Sequence, residues 1–110
     1  MGSKKAVVVA GFEISRGIFS QALMSLGRYA SVFQCASLKE ATRDACGYDV
    51  VIVDWIVEEG PLAAEMVRAL CGVLNPDATL IICLDPNMES RELRLSLMTA
   101  GADGIISRAG

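Results

Sequence analysis

The chemistry open to this sequence is that of carboxylates. No histidine occurs in its 110 residues, which removes the side chain that most often serves as a base at neutral pH. Cys35, Cys46, Cys71 and Cys83 lack C-x-x-C spacing, so a zinc set, Cys-His catalysis and Ser-His-Asp catalysis drop out together. Three acidic features remain: Asp54, which ends the apolar run Tyr48–Asp54; Asp85, followed by Pro86; and the pair Glu58-Glu59. A carboxylate at a strand end can ligate a hard cation or pair with a guanidinium such as that of Arg108. Structural roles compete with this chemistry. Asp85 before Pro86 reads as a cap at a helix start, and Glu58-Glu59 read as water-facing acids that favour the dipole of the helix after them. Gly11-Phe12 has neither G-x-G-x-x-G nor Walker spacing, so no phosphate loop is predicted. Nothing here assembles a catalytic set, and a non-enzymatic domain is expected.

The elements that would position these residues follow from hydrophobic periodicity. Lys5–Ala10 is a continuous apolar, β-branched run of the kind that a strand buried on both faces shows, and Gly11 closes it. Along Glu13–Leu26, Ile14, Ile18, Ala22 and Leu26 recur every four residues with Phe19 and Leu23 beside them, which predicts a helix stopped by Gly27. Next come a strand at Tyr29–Cys35, a short helix at Leu38–Cys46 ended by Gly47, and the strand Tyr48–Asp54. Trp55 then falls in a loop, partly exposed, and reads equally as a contact surface or as local packing. Pro61 suits the first turn of a helix carrying Leu62, Met66, Val67, Leu70 and Leu74 on one face. Thr79–Leu84 reads as strand, Glu89 to Ala100 as helix, and Asp103–Ser107 as the last strand.

Hydrophobic residues make up 53% of the chain against 21% charged, which supports a packed core rather than disorder. The longest apolar runs fall far short of a membrane span. Ten basic against 13 acidic residues, a net charge of −3 with the basic ones scattered, give no nucleic-acid footprint. Cys35 and Cys83 lie within apolar runs and Cys71 on an apolar helix face, where thiols behave as small hydrophobes. With no secretory signal, a reducing cytoplasm is expected. Alternating buried strands and helices predict one α/β domain over residues 1–110, a three-layer, doubly wound, five-stranded parallel sheet. Chemistry in such sheets gathers at the carboxyl ends of the strands, here Ala10, Gly11, Asp54, Leu84, Asp85 and Arg108.

Five strand–helix units, Asp54 followed by Trp55, and the segment Gly101-Ala102-Asp103-Gly104-Ile105-Ile106-Ser107-Arg108 together resemble the receiver domain of two-component response regulators, over nearly the whole chain. The resemblance implies a flavodoxin/receiver-like fold in which Asp54 is the phosphoacceptor equivalent. It also implies an acidic pair holding Mg²⁺ after the first strand, a Ser/Thr ending the fourth, and an aromatic switch residue and a terminal Lys on the fifth. The sequence has Ala10 and Gly11 at the acidic positions, Leu84 and Asp85 at the fourth strand end, Ile105 at the switch position and Arg108 in place of the lysine. Alanine and glycine bring no carboxylate to a hard cation, and arginine does not interchange with lysine at a close phosphate contact. Because phosphoryl transfer depends on a metal and fixed positive charge, a degenerate receiver is expected, one that works as a phosphorylation-independent protein-interaction module without a cofactor. Asp54 would then pair with Arg108. The alternative is a working phosphoacceptor, modified at Asp54 by a histidine kinase with Mg²⁺ bound. Expected partners are proteins: a histidine kinase, an output domain, or a second copy of the chain. The sequence stops at Gly110 without a closing fifth helix, which would leave apolar side chains of strands three to five open on one face; either the parent protein continues past Gly110 into that helix, or a second copy or a partner covers the face, and for the chain by itself a homodimer is expected.

Overall fold

The computed structural model describes residues 4–43, 47–87 and 90–107. Strand β1 (Lys4–Val9) leads into helix α1 (Glu13–Ser25), followed by β2 (Tyr29–Cys35), α2 (Leu38–Arg43) and β3 (Val50–Asp54). Two short strands, β4 (Ile56–Val57) and β5 (Gly60–Pro61), precede α3 (Ala64–Cys71), β6 (Thr79–Leu84), α4 (Arg91–Ala100) and β7 (Gly104–Ser107). Five of the strands form one parallel sheet in the order β2-β1-β3-β6-β7. The expected three-layer α/β architecture is present, with β3 at the centre and β1 beside it, where Ala6, Val7, Val8 and Val9 are apolar on both faces and fully buried.

The two faces are unequal. On one, Val7, Val9, Val51, Val53, Leu80 and Ile82 pack against α2, α3 and α4 through Leu38, Val67, Leu70 and Leu97. On the other, Ala6, Val8 and Ile52 meet Leu23 of α1, with Phe19, Val32 and Ile81 around them. The open face is narrower than the sequence implies. Ile52 and Cys83 are buried there and Ile81 half-buried, whereas Ile106 on β7 is 48% exposed.

Several local expectations change. Pro61 does not open a helix: it lies in β5, paired antiparallel with Ile56, and α3 begins only at Ala64. The Leu62 amide donates to the Trp55 carbonyl at 2.8 Å, a bond that holds the chain extended and delays the helix. Trp55 is not a partly exposed loop residue; at 9% exposure it belongs to the main core. Asp85 does not cap α4. Its carboxylate accepts from the Asn87 amide at 2.9 Å to close a turn, and Ser90 caps the helix, its hydroxyl accepting from the Leu93 amide at 3.1 Å. Cys46, Glu89 and Arg108 lie outside the described residues.

Candidate functional site at the carboxyl ends of the strands

Asp54 ends β3 and is only 2% exposed, with Oδ1 accepting the Trp55 amide at 2.9 Å. That bond turns the chain sharply at the strand end and sends Trp55 back into the core. Asp54 and Asp85 line one small cavity of about 90 Å³ together with Phe12, Trp55 and Ile56. The structure therefore brings together two of the carboxylates singled out from the sequence.

The end of β1 is built differently. Ala10 is fully buried, and its amide donates to the Cys35 carbonyl at 3.0 Å. Gly11 donates to the Ile56 carbonyl at 2.9 Å, which ties the β4–β5 hairpin across the strand end. A Cβ added at Gly11 would lie 3.1 Å from the Val57 carbonyl carbon, 3.2 Å from the Ile56 oxygen and 3.3 Å from the Val57 oxygen. All three are backbone atoms that cannot rotate away. A side chain at position 11 would therefore need the hairpin backbone to give by a few tenths of an ångström, and since Ala10 and Gly11 bring no carboxylate, these residues do not fit the two-carboxylate metal site of receivers. Among the described residues no group of three or more Cys, Asp or Glu side chains is placed to hold a metal ion.

Other expected positions fall in the core or outside the description. Leu84 is fully buried among apolar neighbours, and Ile105 packs partly buried against the same core. Neither offers a hydroxyl or a phenol to a switch. The expected pairing of Asp54 with Arg108 falls outside the described residues.

Sequence reasoning missed two groups. Arg16 of α1 donates from Nη1 to the Ala10 carbonyl at 2.7 Å, which places a guanidinium at the β1 end. The signal was helical spacing: Arg16 shares the inward side of α1 with Ser20 and Leu23, so its charge needs a partner there. Glu59, read as facing water ahead of the next helix, instead serves the preceding one, its carboxylate accepting from the amides of Leu38 at 3.3 Å and Lys39 at 3.4 Å. With the Glu58 amide donating to the Ala36 carbonyl at 2.8 Å, this fastens the hairpin to the start of α2.

No protein-family model and no curated protein matches the sequence. Solved structures do match. A response regulator protein from Burkholderia pseudomallei, its structure described with a phosphorylated aspartic acid, a calcium ion and citrate, superposes with a TM-score of 0.81 over 98% of this chain at 22% identity. The chain has the receiver fold. It spans 61% of that protein's length. A receiver domain of a histidine kinase from Arabidopsis thaliana matches with a TM-score of 0.80 at 21% identity, covering 96% of this chain and 81% of that one. A two-component response regulator of the LuxR family from Aurantimonas sp. matches with a TM-score of 0.81 at 22% identity, covering 99% and 76%. On the receiver fold, Asp54 stands at the carboxyl end of the third sheet strand in chain order, beside β1 and β6.

Proposed function

We propose that this chain is a degenerate receiver domain of two-component or phosphorelay signalling, working in the cytoplasm through protein contacts and without phosphorylation. The observation that carries the reading is the packing of Gly11 against the backbone of Ile56 and Val57. Where the acidic pair of a receiver would stand, this chain has Ala10 and Gly11 with a hairpin packed against them. Fixed positive charge and a metal supply most of the stabilisation in phosphoryl transfer, so a scaffold without the acidic pair that would hold the metal keeps the shape and gives up the reaction. Its partners are then proteins, a histidine kinase, an output domain or a second copy, which recognise the surface of one fixed conformation. The net charge of −3 and the scattered basic residues favour protein over nucleic acid.

One observation favours a second reading, a phosphoacceptor modified at Asp54. Asp54 and Asp85 share a cavity, and two carboxylates suit a hard cation. Intact mass after incubation with acetyl phosphate and Mg²⁺ decides between the two. An unchanged mass supports the degenerate domain, and a gain of one phosphoryl group that Asp54→Asn abolishes supports the acceptor.

A further inference from the structure

A second cavity opens at the other end of the sheet from Asp54, where α3 and α4 both finish and β6 starts. Its volume is about 150 Å³, enough for a group the size of benzene. Leu74, Pro76, Ala78 and the buried Leu80 give it an apolar wall, and Cys71, the last residue of α3, contributes a thiol. Among the described residues that line it, Asp103 alone is charged. That carboxylate is held in place. Its Oδ2 accepts the Leu80 amide at 2.8 Å, and the Asp103 amide donates to the Leu80 carbonyl at 2.8 Å. The helix ends add to the negative charge, because a helix carries negative partial charge at its C-terminus and two such ends meet here, α3 at Cys71 and α4 at Gly101. No basic residue stands in the last turn of α4, and Arg68 in the last turn of α3 is exposed and lies outside the lining. Burial first, and then the charge of Asp103, push the Cys71 pKa up, so the field of the carboxylate reaches the thiol wall.

An apolar wall with one fixed carboxylate beside two negative helix ends fits an aliphatic cation. A metal ion is poorly served, since a hard cation takes several oxygen ligands and the described residues place no group of three Cys, Asp or Glu side chains to hold one. A guanidinium is bound best by a fork of two carboxylate oxygens, and one oxygen of Asp103 is already committed to Leu80. An ammonium is a compact charge on a flexible four-carbon stem, and a single oxygen suffices for it. We propose that this cavity receives a lysine side chain of a protein partner, the stem lying along Leu74, Ala78 and Leu80 and the ammonium on Asp103. The protein source rests on reading the chain as a protein-contact module; the preference for an ammonium rests on the cavity itself.

Amide NMR spectra of the full chain, titrated with the capped amino acid Nα-acetyl-lysine methylamide, test the proposal. The amides of Leu80, Gly101 and Asp103 are expected to shift to saturation with a dissociation constant of about a millimolar, as suits an exposed carboxylate. The norleucine analogue, which has the stem without the ammonium, gives no saturating shift. Asp103→Asn keeps an oxygen for the Leu80 amide but loses the charge, and it raises the dissociation constant about tenfold or more. Ala78→Leu fills the cavity and blocks the probe by a route that leaves Asp103 in place. No saturating shift at those amides overturns the proposal, and so does an equal response to the norleucine analogue or undiminished binding to Asp103→Asn. Tighter binding of the matching arginine analogue overturns the choice of an ammonium. Butylammonium that saturates the same amides where the capped lysine does not makes this a site for a free amine and overturns the protein source. A phosphoryl group gained at Asp54 overturns the degenerate reading and leaves this titration at the far end of the sheet unchanged, so the two failures are separable.

Discussion

The amide of Gly11 donates to the carbonyl of Ile56 at 2.9 Å, joining the end of the first strand to a hairpin that follows the third. The bond brings the Ile56 and Val57 main chain so close that a Cβ at position 11 would stand 3.1 to 3.3 Å from three backbone atoms. Gly11→Asp, which on paper restores one of the missing acids, is therefore expected to destabilise the fold by about 1–3 kcal/mol through overpacking. It is expected to confer no Mg²⁺ binding. Urea denaturation measures the first effect, and titration of Trp55 fluorescence with Mg²⁺ the second. A variant as stable as wild type that responds to Mg²⁺ would show that the hairpin yields to a carboxylate.

The hairpin is also held from outside. Glu59 accepts from the amides of Leu38 and Lys39 at 3.3 and 3.4 Å, long bonds from an exposed carboxylate to the first turn of α2, a geometry near the weak end for hydrogen bonds. Glu59→Ala is expected to cost about 0.5–1 kcal/mol, the lower part of the range for a helix cap. High salt should shrink the difference, since the charge is exposed. Thermal denaturation at low and high ionic strength checks both statements; a cost that grew with salt would remove the electrostatic account.

The large elements were legible in the residues because each carries a long periodic signal. The run Ala6–Val9 announced a strand buried on both faces, but on α1 the recurrence of Ile14, Ile18, Ala22 and Leu26 marked the side that faces out, with Ile14 78% and Ile18 62% exposed, while Phe19 and Leu23 beside it face the core. Asp54 was legible as a strand end because the apolar run before it stops there. The hairpin was not, since β4 and β5 are two residues each and a pair of residues has no period to read. Its apolar Trp55-Ile56-Val57 then looked like an exposed loop, when burial against the main core is what fixes it. Pro61 misled for a related reason: its fixed φ suits an extended strand as well as a helix start, and only the pairing with Ile56 decides. Asp103 was legible as part of a motif but not in its role, which is to accept the Leu80 amide at 2.8 Å and pin the start of β6.

Beside that pin sits the thiol of Cys71. Burial, and then the negative charge of Asp103, push the Cys71 pKa above its ordinary value of 9.0. A thiol, not a thiolate, is the favoured form in the folded protein, so alkylation by iodoacetamide at about pH 8 should be slower at Cys71 than in the urea-unfolded chain. Asp103→Asn should raise the rate only in part, because burial is the larger cause. The stability that follows is complete below the unfolded value and is lost as pH rises through the folded one, since the unfolded chain gives up its proton first. Peptide-resolved mass spectrometry of alkylation against pH measures this directly; equal rates in folded and unfolded chains would contradict it.

Cys71 also meets the end of α4. Gly101 closes that helix at φ +128°, and a Cβ there would stand 2.6 Å from the Cys71 Sγ and 3.2 Å from its Cβ. Two costs should therefore attend Gly101→Ala: about 1–3 kcal/mol for a side chain forced into a backbone region that suits glycine, and a similar amount for the contact. They can be separated. Cys71→Ala removes the sulfur but leaves the backbone conformation untouched, so in that background Gly101→Ala should cost less by about 1 kcal/mol or more, while the strain remains. A double-mutant cycle by urea denaturation gives the coupling between the two positions. If the two substitutions prove additive, the loss at Gly101 is backbone strain alone and the α3–α4 contact has room that the geometry does not show; if the double variant regains wild-type stability, the positive φ carries no cost.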